Sequence, residues 1–147
     1  MPELPQEIEE KIRQYYGLGY EHYDHYRFKE ALRNFYRAWI LVPKPQTRYE
    51  MAGWILTALG DCYFRMRNYQ SGREALRSAI HCPNSLRNPF VHLRLGQCFY
   101  ELNQRQHAYR EFKLAIELGG LDIFAHETVK YINFYRKQEA FKIEEKA

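Results

Sequence analysis

The residues whose types could do chemistry are two histidines and two cysteines. His22 and His25 lie three positions apart, close enough on a helix to share one metal ion, and Cys62 and Cys98 offer soft thiolate ligands. The sequence contains neither an HExxH motif nor the cysteine–histidine spacing of a structural zinc site. We therefore expect solvated histidines at a helix end, cysteines in the core, and no bound metal or other cofactor.

Catalytic motifs are equally weak. Gly17-Leu18-Gly19 lacks the third glycine and the preceding strand of a phosphate-binding loop. No serine–histidine–aspartate set and no carboxylate pair stands out by its spacing, although such a set can also form in space. We expect a protein that is not an enzyme.

The composition is that of one globular domain. The chain has 147 residues, of which 46% are hydrophobic and 27% charged. No apolar run approaches the roughly 20 residues of a membrane span, and the acidic start is unlike a secretory signal. The three cysteines leave one unpaired in any disulfide scheme, which indicates a cytoplasmic location.

Charge is distributed unevenly along the chain. Residues 1–24 hold six acids against Lys11 and Arg13, whereas residues 65–110 hold eight arginines against two glutamates. The simplest interpretation is a solvated basic face, and an acidic partner or head-to-tail self-association is the alternative. The arginines concerned are Arg65, Arg67, Arg73, Arg77, Arg87, Arg94, Arg105 and Arg110.

The elements that must position any site repeat three times. A Leu-Gly pair recurs with its glycine at Gly19, Gly60 and Gly96. Twelve and nineteen residues after each glycine stands a small residue, and sixteen after it stands Phe35, Leu76 or Phe112. Small residues let two antiparallel helices approach closely, and the large apolar residue fills the space between them.

This register resembles that of the tetratricopeptide repeat (TPR). The resemblance implies an all-α fold, a right-handed α-solenoid of about seven antiparallel helices. It covers repeats at about 12–45, 53–87 and 89–121, followed by a capping helix at about 122–142, within a single domain 1–147. The glycines lie 41 and 36 residues apart, longer than the family period of about 34, and we assign the excess to proline-containing connections.

Helix bounds follow from stop and start signals. We predict helices near 6–24, 28–41, 47–66, 69–82, 89–102, 105–118 and 122–142. Gly119-Gly120 ends the sixth helix, and Asp122 is the expected cap of the seventh. The expected buried face of the seventh helix consists of Phe124, Ala125, Thr128, Val129, Ile132 and Tyr135. In the turns inside the repeats, Asn68 and Asn103 are the expected left-handed residues, whereas the first repeat offers only Tyr26-Arg27.

In the TPR family the first helix of each repeat lines a concave groove that holds a segment of another protein. The resemblance therefore implies a partner-binding face rich in aromatic side chains, which bury a large area at low entropy cost. Its expected residues are Arg13, Tyr16, Tyr20, Tyr23, Trp54, Thr57, Asp61, Phe64, Phe90, Leu93, Arg94, Gln97 and Tyr100. The alternative is that the capping helix packs into the groove and makes several of them core.

One TPR subclass binds acidic chaperone tails through a clamp of lysine, asparagine and arginine side chains. Here the corresponding positions are Tyr16, Tyr20, Ala58, Phe90 and Arg94, of which only Arg94 matches. A carboxylate against tyrosine, alanine and phenylalanine would lose its hydration without compensation. We therefore expect no such clamp, and an apolar or amphipathic partner segment instead.

The resemblance implies a protein-interaction module that serves as adaptor, chaperone or inhibitor. Bacterial secretion chaperones and toxin-neutralising immunity proteins are two specific roles between which the sequence does not choose. We rank nucleic-acid binding through the arginine-rich convex face second, because no nucleic-acid-binding signature accompanies the arginines. Homodimerisation through an aromatic face or an exposed end is a third alternative.

Overall fold

The computed structural model describes residues 3–146; Met1, Pro2 and Ala147, at the ends of the predicted domain, lie outside it. All regular structure in residues 3–146 is helical, which confirms the all-α prediction. Seven α-helices and two short 3₁₀ turns follow one another in these residues. The helices are α1 (Gln6–Asp24), α2 (Phe28–Leu41), α3 (Glu50–Arg65), α4 (Tyr69–Ile80), α5 (Pro89–Glu101), α6 (Arg105–Gly119) and α7 (Val129–Lys146).

The helices belong to two compact units. The first unit, Met1–Arg87, contains the hairpins α1–α2 and α3–α4, and α2 also packs against α3. The second unit, Asn88–Ala147, contains the hairpin α5–α6 and then α7. Among the described residues, no helix combines the length and apolarity that crossing a bilayer needs.

Each hairpin is built around the repeated glycine. A Cβ added at Gly60 would lie 2.5 Å from Cγ of Leu76, and one added at Gly96 would lie 2.6 Å from Cδ1 of Phe112. Gly19 stands in the same relation to the Phe35 ring. The residue sixteen positions after each glycine therefore fills the space that the missing side chain leaves, as the repeat pattern predicts.

The turns inside the hairpins correct one expectation. The left-handed residues are Tyr26, Arg67 and Asn103, with φ of 60°, 62° and 61°. Asn103 was predicted, but Asn68 is the helix cap instead, and its side chain accepts a hydrogen bond from Ser71 N at 3.3 Å. In each turn the left-handed residue directly precedes the helix cap, but only the cap at Asn68 accepts a side-chain hydrogen bond, since Arg27 and Gln104 do not.

The start of α5 and the end of α6 match the sequence signals. The Asn88 side chain accepts a hydrogen bond from Phe90 N at 3.0 Å, and Pro89 stands in the first turn, where its missing N–H costs nothing. Helix α6 ends at Gly119, and Gly120 follows with φ of 77°, a conformation that favours glycine.

The last helix begins later than predicted. Instead of a helix capped by Asp122, residues Leu121–Phe124 form a 3₁₀ turn, and α7 starts at Val129. The ring of Phe124 lies 5.3 Å from that of Phe112 in the core. Since Phe124 reaches α6 from this short turn, the chain changes direction before α7 begins.

The buried face of α7 is also shifted. We expected burial of Ala125, Thr128, Val129 and Ile132, but Ala125, Thr128 and Val129 are exposed and Ile132 is half-buried. Phe124 and Tyr135 are buried as predicted, and Tyr131 is buried in addition. Tyr135 stacks on Tyr109 of α6 with ring centroids 5.6 Å apart. Aromatic contacts with α6 thus set the register of this helix, and the predicted burial of Tyr135 is confirmed.

All three cysteines are free and buried, as expected for Cys62 and Cys98. Burial raises the pKa of the Cys62 thiol to about 12 and that of Cys82 to about 11. Because only a thiolate attacks a disulfide reagent, the native protein is expected to react with DTNB at about pH 8 far more slowly than the urea-unfolded chain. A thiol that reacts in the native protein as fast as in urea would contradict its burial.

The same shifts give a pH dependence. The pKa values of Cys62 and Cys82 in the folded chain lie above their ordinary value of 9.0, so folding favours the neutral thiols. Their contribution to stability is complete below pH 9.0 and is lost as pH rises through 11 and 12. Thermal melts across this range measure the loss.

Candidate functional site

The first unit carries a line of aromatic rings, the aromatic row, formed by Tyr16, Tyr20 and Tyr23 of α1 and Trp54 of α3. All four side chains are partly exposed. The tyrosines are spaced four and three residues apart, which places them on one face of α1. These predicted residues therefore do lie together in the structure.

The rings of the row contact each other in sequence. The Tyr16 centroid lies 6.3 Å from that of Trp54 and 5.0 Å from that of Tyr20, which lies 5.8 Å from that of Tyr23. Two of these three pairs are edge-to-face, the arrangement that aromatic quadrupoles favour, and the Tyr16–Trp54 pair is tilted. The row is thus a continuous surface that joins α1 to α3.

Packing beneath the row holds it in place. Gly19 lies between Tyr16 and Tyr20 in sequence and leaves room for the fully buried ring of Phe35. That ring lies 5.7 Å from Tyr16 and 5.0 Å from Tyr20, between centroids. The repeat glycine therefore also seats two tyrosines of the row on the core.

The hydroxyls of Tyr16 and Tyr20 stay neutral at physiological pH, because the pKa of each is raised. Burial raises the pKa of Tyr20, and hydrogen bonding with Tyr16 and the nearby Asp61 carboxylate raise it further. Burial also raises the pKa of Tyr16. A neutral phenol both donates and accepts a hydrogen bond, so the row offers polar contacts beside its apolar area.

One end of the row opens into a pocket of about 460 Å³. There the guanidinium of Arg13 lies 5.4 Å from the Trp54 ring centroid and pairs with the Glu9 carboxylate at 3.1 Å. We call this cavity the N-terminal pocket; its lining residues are Glu3, Leu4, Glu9, Arg13, Tyr49, Glu50, Met51 and Trp54.

The other end of the row continues into residues that we did not predict from the sequence. Tyr23 lies 5.3 Å from Phe28, and Tyr26 lies 6.1 Å from the same ring, between centroids. The Arg65 guanidinium lies 4.9 Å from the Phe28 centroid and donates to the Tyr23 hydroxyl at 3.4 Å. The sequence signal for this extension is the clustering of Tyr23, Tyr26 and Phe28 around the first turn, since turn residues are seldom aromatic.

The remaining predicted residues of the first unit differ in how far their side chains are buried. Phe64 is half-buried, and its ring lies 5.9 Å from that of Tyr69. Thr57 and Asp61 are buried, and the Thr57 hydroxyl donates to the Gly53 carbonyl at 2.7 Å in its own helix. Thr57 and Asp61 therefore present almost no surface to a partner.

In the second unit most of the predicted binding residues are internal. Leu93 is 1% exposed, Arg94 5% and Gln97 0%, whereas Phe90 and Tyr100 are half-buried. The side chains of Leu93, Arg94 and Gln97 are therefore not available at the surface.

The segment before and within α7 covers part of this face. The Arg94 guanidinium pairs with the Glu127 carboxylate and donates to the Gln97 side-chain oxygen at 2.8 Å. Gln97 in turn donates to Glu127 at 2.7 Å. Glu127 precedes α7, so the residue that covers Arg94 and Gln97 belongs to the segment before the last helix.

Tyr100 is covered in the same way. Its ring centroid lies 5.4 Å from that of Tyr131 and 5.2 Å from that of Phe134, both on α7. The Glu101 carboxylate beside it accepts hydrogen bonds from Lys130 at 2.7 Å and from Tyr131 at 2.9 Å. The candidate surface is therefore the aromatic row of the first unit.

The possible metal ligands are not assembled into a site. Within residues 3–146, no group of three or more histidine, cysteine or acidic side chains is placed to hold a metal ion. His25 is exposed, and its Nδ1 lies 2.9 Å from the Glu21 carbonyl oxygen. His22 is half-buried.

Solved structures resemble the chain over most of its length, although no family profile and no curated protein sequence matches it. The first TPR of Spaghetti (RPAP3), bound to the HSP90 peptide SRMEEVD, is 15% identical, covers 90% of this chain and 97% of its own, and has a TM-score of 0.69. This chain has the TPR fold. That result confirms the fold predicted from the Leu-Gly repeats.

Two further structures share the TPR fold at similar identity. The type III secretion chaperone SycD of Yersinia enterocolitica, in complex with a peptide of the translocator YopD, is 17% identical, with 92% of this chain and 95% of that chain covered and a TM-score of 0.69. MamA is 16% identical, with 90% and 81% covered and a TM-score of 0.64.

Proposed function

We propose that this protein is a non-catalytic interaction module that binds an apolar or amphipathic segment of another protein on its aromatic row. The observation that carries the proposal is the continuity of Tyr16, Tyr20, Tyr23 and Trp54 as a partly exposed surface. Contiguous exposed apolar patches in monomeric proteins commonly mark interaction sites.

The chemistry of the row suits a peptide. Rigid aromatic rings lose little rotamer entropy on binding and bury a large area, which is why tyrosine and tryptophan dominate interface hot spots. The neutral hydroxyls of Tyr16 and Tyr20 can pair with a peptide backbone at the edge of the apolar contact. A segment with apolar side chains on one side satisfies both requirements.

The solved structures support this class of function. One neighbour with the TPR fold is bound to an HSP90 peptide and another to a peptide of a translocator. We extend to this chain only the general activity, the binding of a protein segment. A secretion chaperone and a toxin-neutralising immunity protein are the two specific roles that we propose within it.

We further propose that acidic chaperone tails are not the ligand. Arg94 is the only predicted clamp position with a cationic side chain, and its guanidinium is already paired with Glu127 inside the second unit. An external carboxylate would have to displace this buried internal one. The tyrosines at the other clamp positions supply no charge to repay the lost hydration.

No observation favours the nucleic-acid alternative. Several arginines of the basic stretch contact side chains of their own unit: Arg65 lies over Phe28, Arg94 pairs with Glu127, and Arg105 lies 4.0 Å from the Tyr100 ring centroid. Phosphate binding would compete with each of these contacts.

The test is selection of displayed peptides of about 12 residues on the folded protein, followed by fluorescence anisotropy with the selected sequences. Trp54→Ala is expected to weaken the selected peptides by about 30-fold, the effect of losing a hot-spot ring. Ile40→Ala is the control, since Ile40 is 74% exposed on α2 and is not part of the row.

Circular dichroism must first show that both variants keep their helicity. If no peptide is enriched, or if Ile40→Ala weakens binding as much as Trp54→Ala, the aromatic row is not the binding surface. If polyuridylate displaces the selected peptides from the protein, and does so only at low salt, the result would favour the nucleic-acid alternative.

A further inference from the structure

The N-terminal pocket differs in charge from the rest of the chain. Its lining contains the carboxylates of Glu3, Glu9 and Glu50 and the guanidinium of Arg13, a net charge of −2. The whole chain has a net charge of +4. Since the pocket begins where the aromatic row ends, at Arg13 and Trp54, a segment bound on the row can reach it.

Two of the three carboxylates are available for an external cation. Arg13 pairs with Glu9 through an exposed contact within α1. Within the part of the chain that the structure describes, the side-chain carboxylates of Glu3 and Glu50 have no hydrogen-bond or ion-pair partner. Two uncompensated carboxylates over an aromatic floor attract a cation and repel an acidic side chain.

The tryptophan in the pocket already holds a cation. The Arg13 guanidinium lies over the Trp54 ring in a cation–π contact, so this indole face is favourable for a positive charge. Leu4 and Met51 add apolar surface to the lining. Long basic side chains need both features, because they bury an aliphatic stem and keep the charged end paired.

We propose that the N-terminal pocket receives a lysine or arginine side chain of the bound segment. Its charge pairs with Glu3 and Glu50, and its stem packs on Leu4, Met51 and Trp54. A volume of about 460 Å³ holds such a side chain together with part of its neighbours. The partner segment is therefore apolar on the row and basic at the end that enters the pocket. The inference rests on the proposed function.

The experiment uses the peptides selected on the folded protein. Selected sequences are expected to share a basic residue at a fixed distance from their apolar residues. With arginine at this position, replacement by citrulline, the neutral isostere of arginine, is expected to weaken binding about 10-fold. With the double variant Glu3→Gln/Glu50→Gln, the citrulline peptide is expected to bind within about 2-fold of the basic one.

Glu7→Gln is the matched control, since Glu7 is an exposed glutamate of α1 that does not line the pocket. It should leave the preference for the basic peptide intact. Equal loss of preference in Glu7→Gln would mean a general charge effect and would overturn the proposal.

The outcomes separate the two proposals. Peptides that depend on Trp54 but tolerate citrulline, or that carry an acidic residue instead, would refute the basic pocket and leave the aromatic row as the binding surface. Selection of no peptide at all would refute both.

Discussion

Gly19→Ala is expected to lower the free energy of unfolding by about 2 kcal/mol, although alanine is the better helix former. The added Cβ would lie 2.6 Å from Cδ1 and 2.8 Å from Cζ of the Phe35 ring. That ring is fully buried and is flanked by Tyr16 and Tyr20, so it has no free space to enter. The two helices of the hairpin must separate instead.

Gly17→Ala in the same helix is the matched control. A Cβ at Gly17 would meet no atom within 4 Å, so this change is expected to raise the free energy of unfolding by about 0.5–1 kcal/mol through helix propensity alone. Urea titrations followed by circular dichroism measure both. Equal stabilisation by the two substitutions would show that α1 and α2 are not in close contact at Gly19.

Glu127→Ala is expected to destabilise the chain by about 3 kcal/mol. The Arg94 side chain is 7% exposed and that of Glu127 15%, so removal of the carboxylate leaves a guanidinium buried without its counter-charge. Gln97 loses the acceptor of its amide at the same time. Removing one charge of a buried ion pair destabilises a protein more than replacing both charged side chains by apolar ones.

Glu9→Ala provides the comparison for this buried pair. It breaks an arginine–glutamate contact of the same chemistry whose side chains are 57% and 39% exposed, and it should cost about 0.5 kcal/mol or less. The double variant Arg94→Met/Glu127→Leu is expected to recover most of the stability, because it removes both charges. If Glu127→Ala costs no more than Glu9→Ala, the guanidinium of Arg94 is hydrated.

The fold was predictable because its determinants are local and repeated. Helices α1 and α2 begin and end at the predicted residues, and each Leu-Gly glycine contacts the large residue predicted to fill its space. A close helix contact restricts a position to glycine, and this restriction is visible in a single sequence. The late start of α7 was not predictable, since it depends on the packing of Phe124 against Phe112 of α6, which helix start signals do not report.

The sequence predicted the helix face on which each site residue lies, but not whether that residue is buried. Helical spacing placed Tyr16, Tyr20 and Tyr23 on one face, and the structure brings them together. The same spacing grouped Arg94 and Gln97 with them, although both are buried. Periodicity reports the direction of a side chain and not what covers it, and the covering residue Glu127 lies thirty or more positions away with no local signature.

The position of Trp54 provides a spectroscopic reporter. The chain contains only two tryptophans, and one of them, the half-buried Trp54, lines the N-terminal pocket beside a guanidinium. Trp39 lies on α2 outside that pocket. A Trp39→Phe variant would therefore emit from a single indole, and changes in its emission maximum and quenching would follow occupancy of the pocket in unlabelled protein.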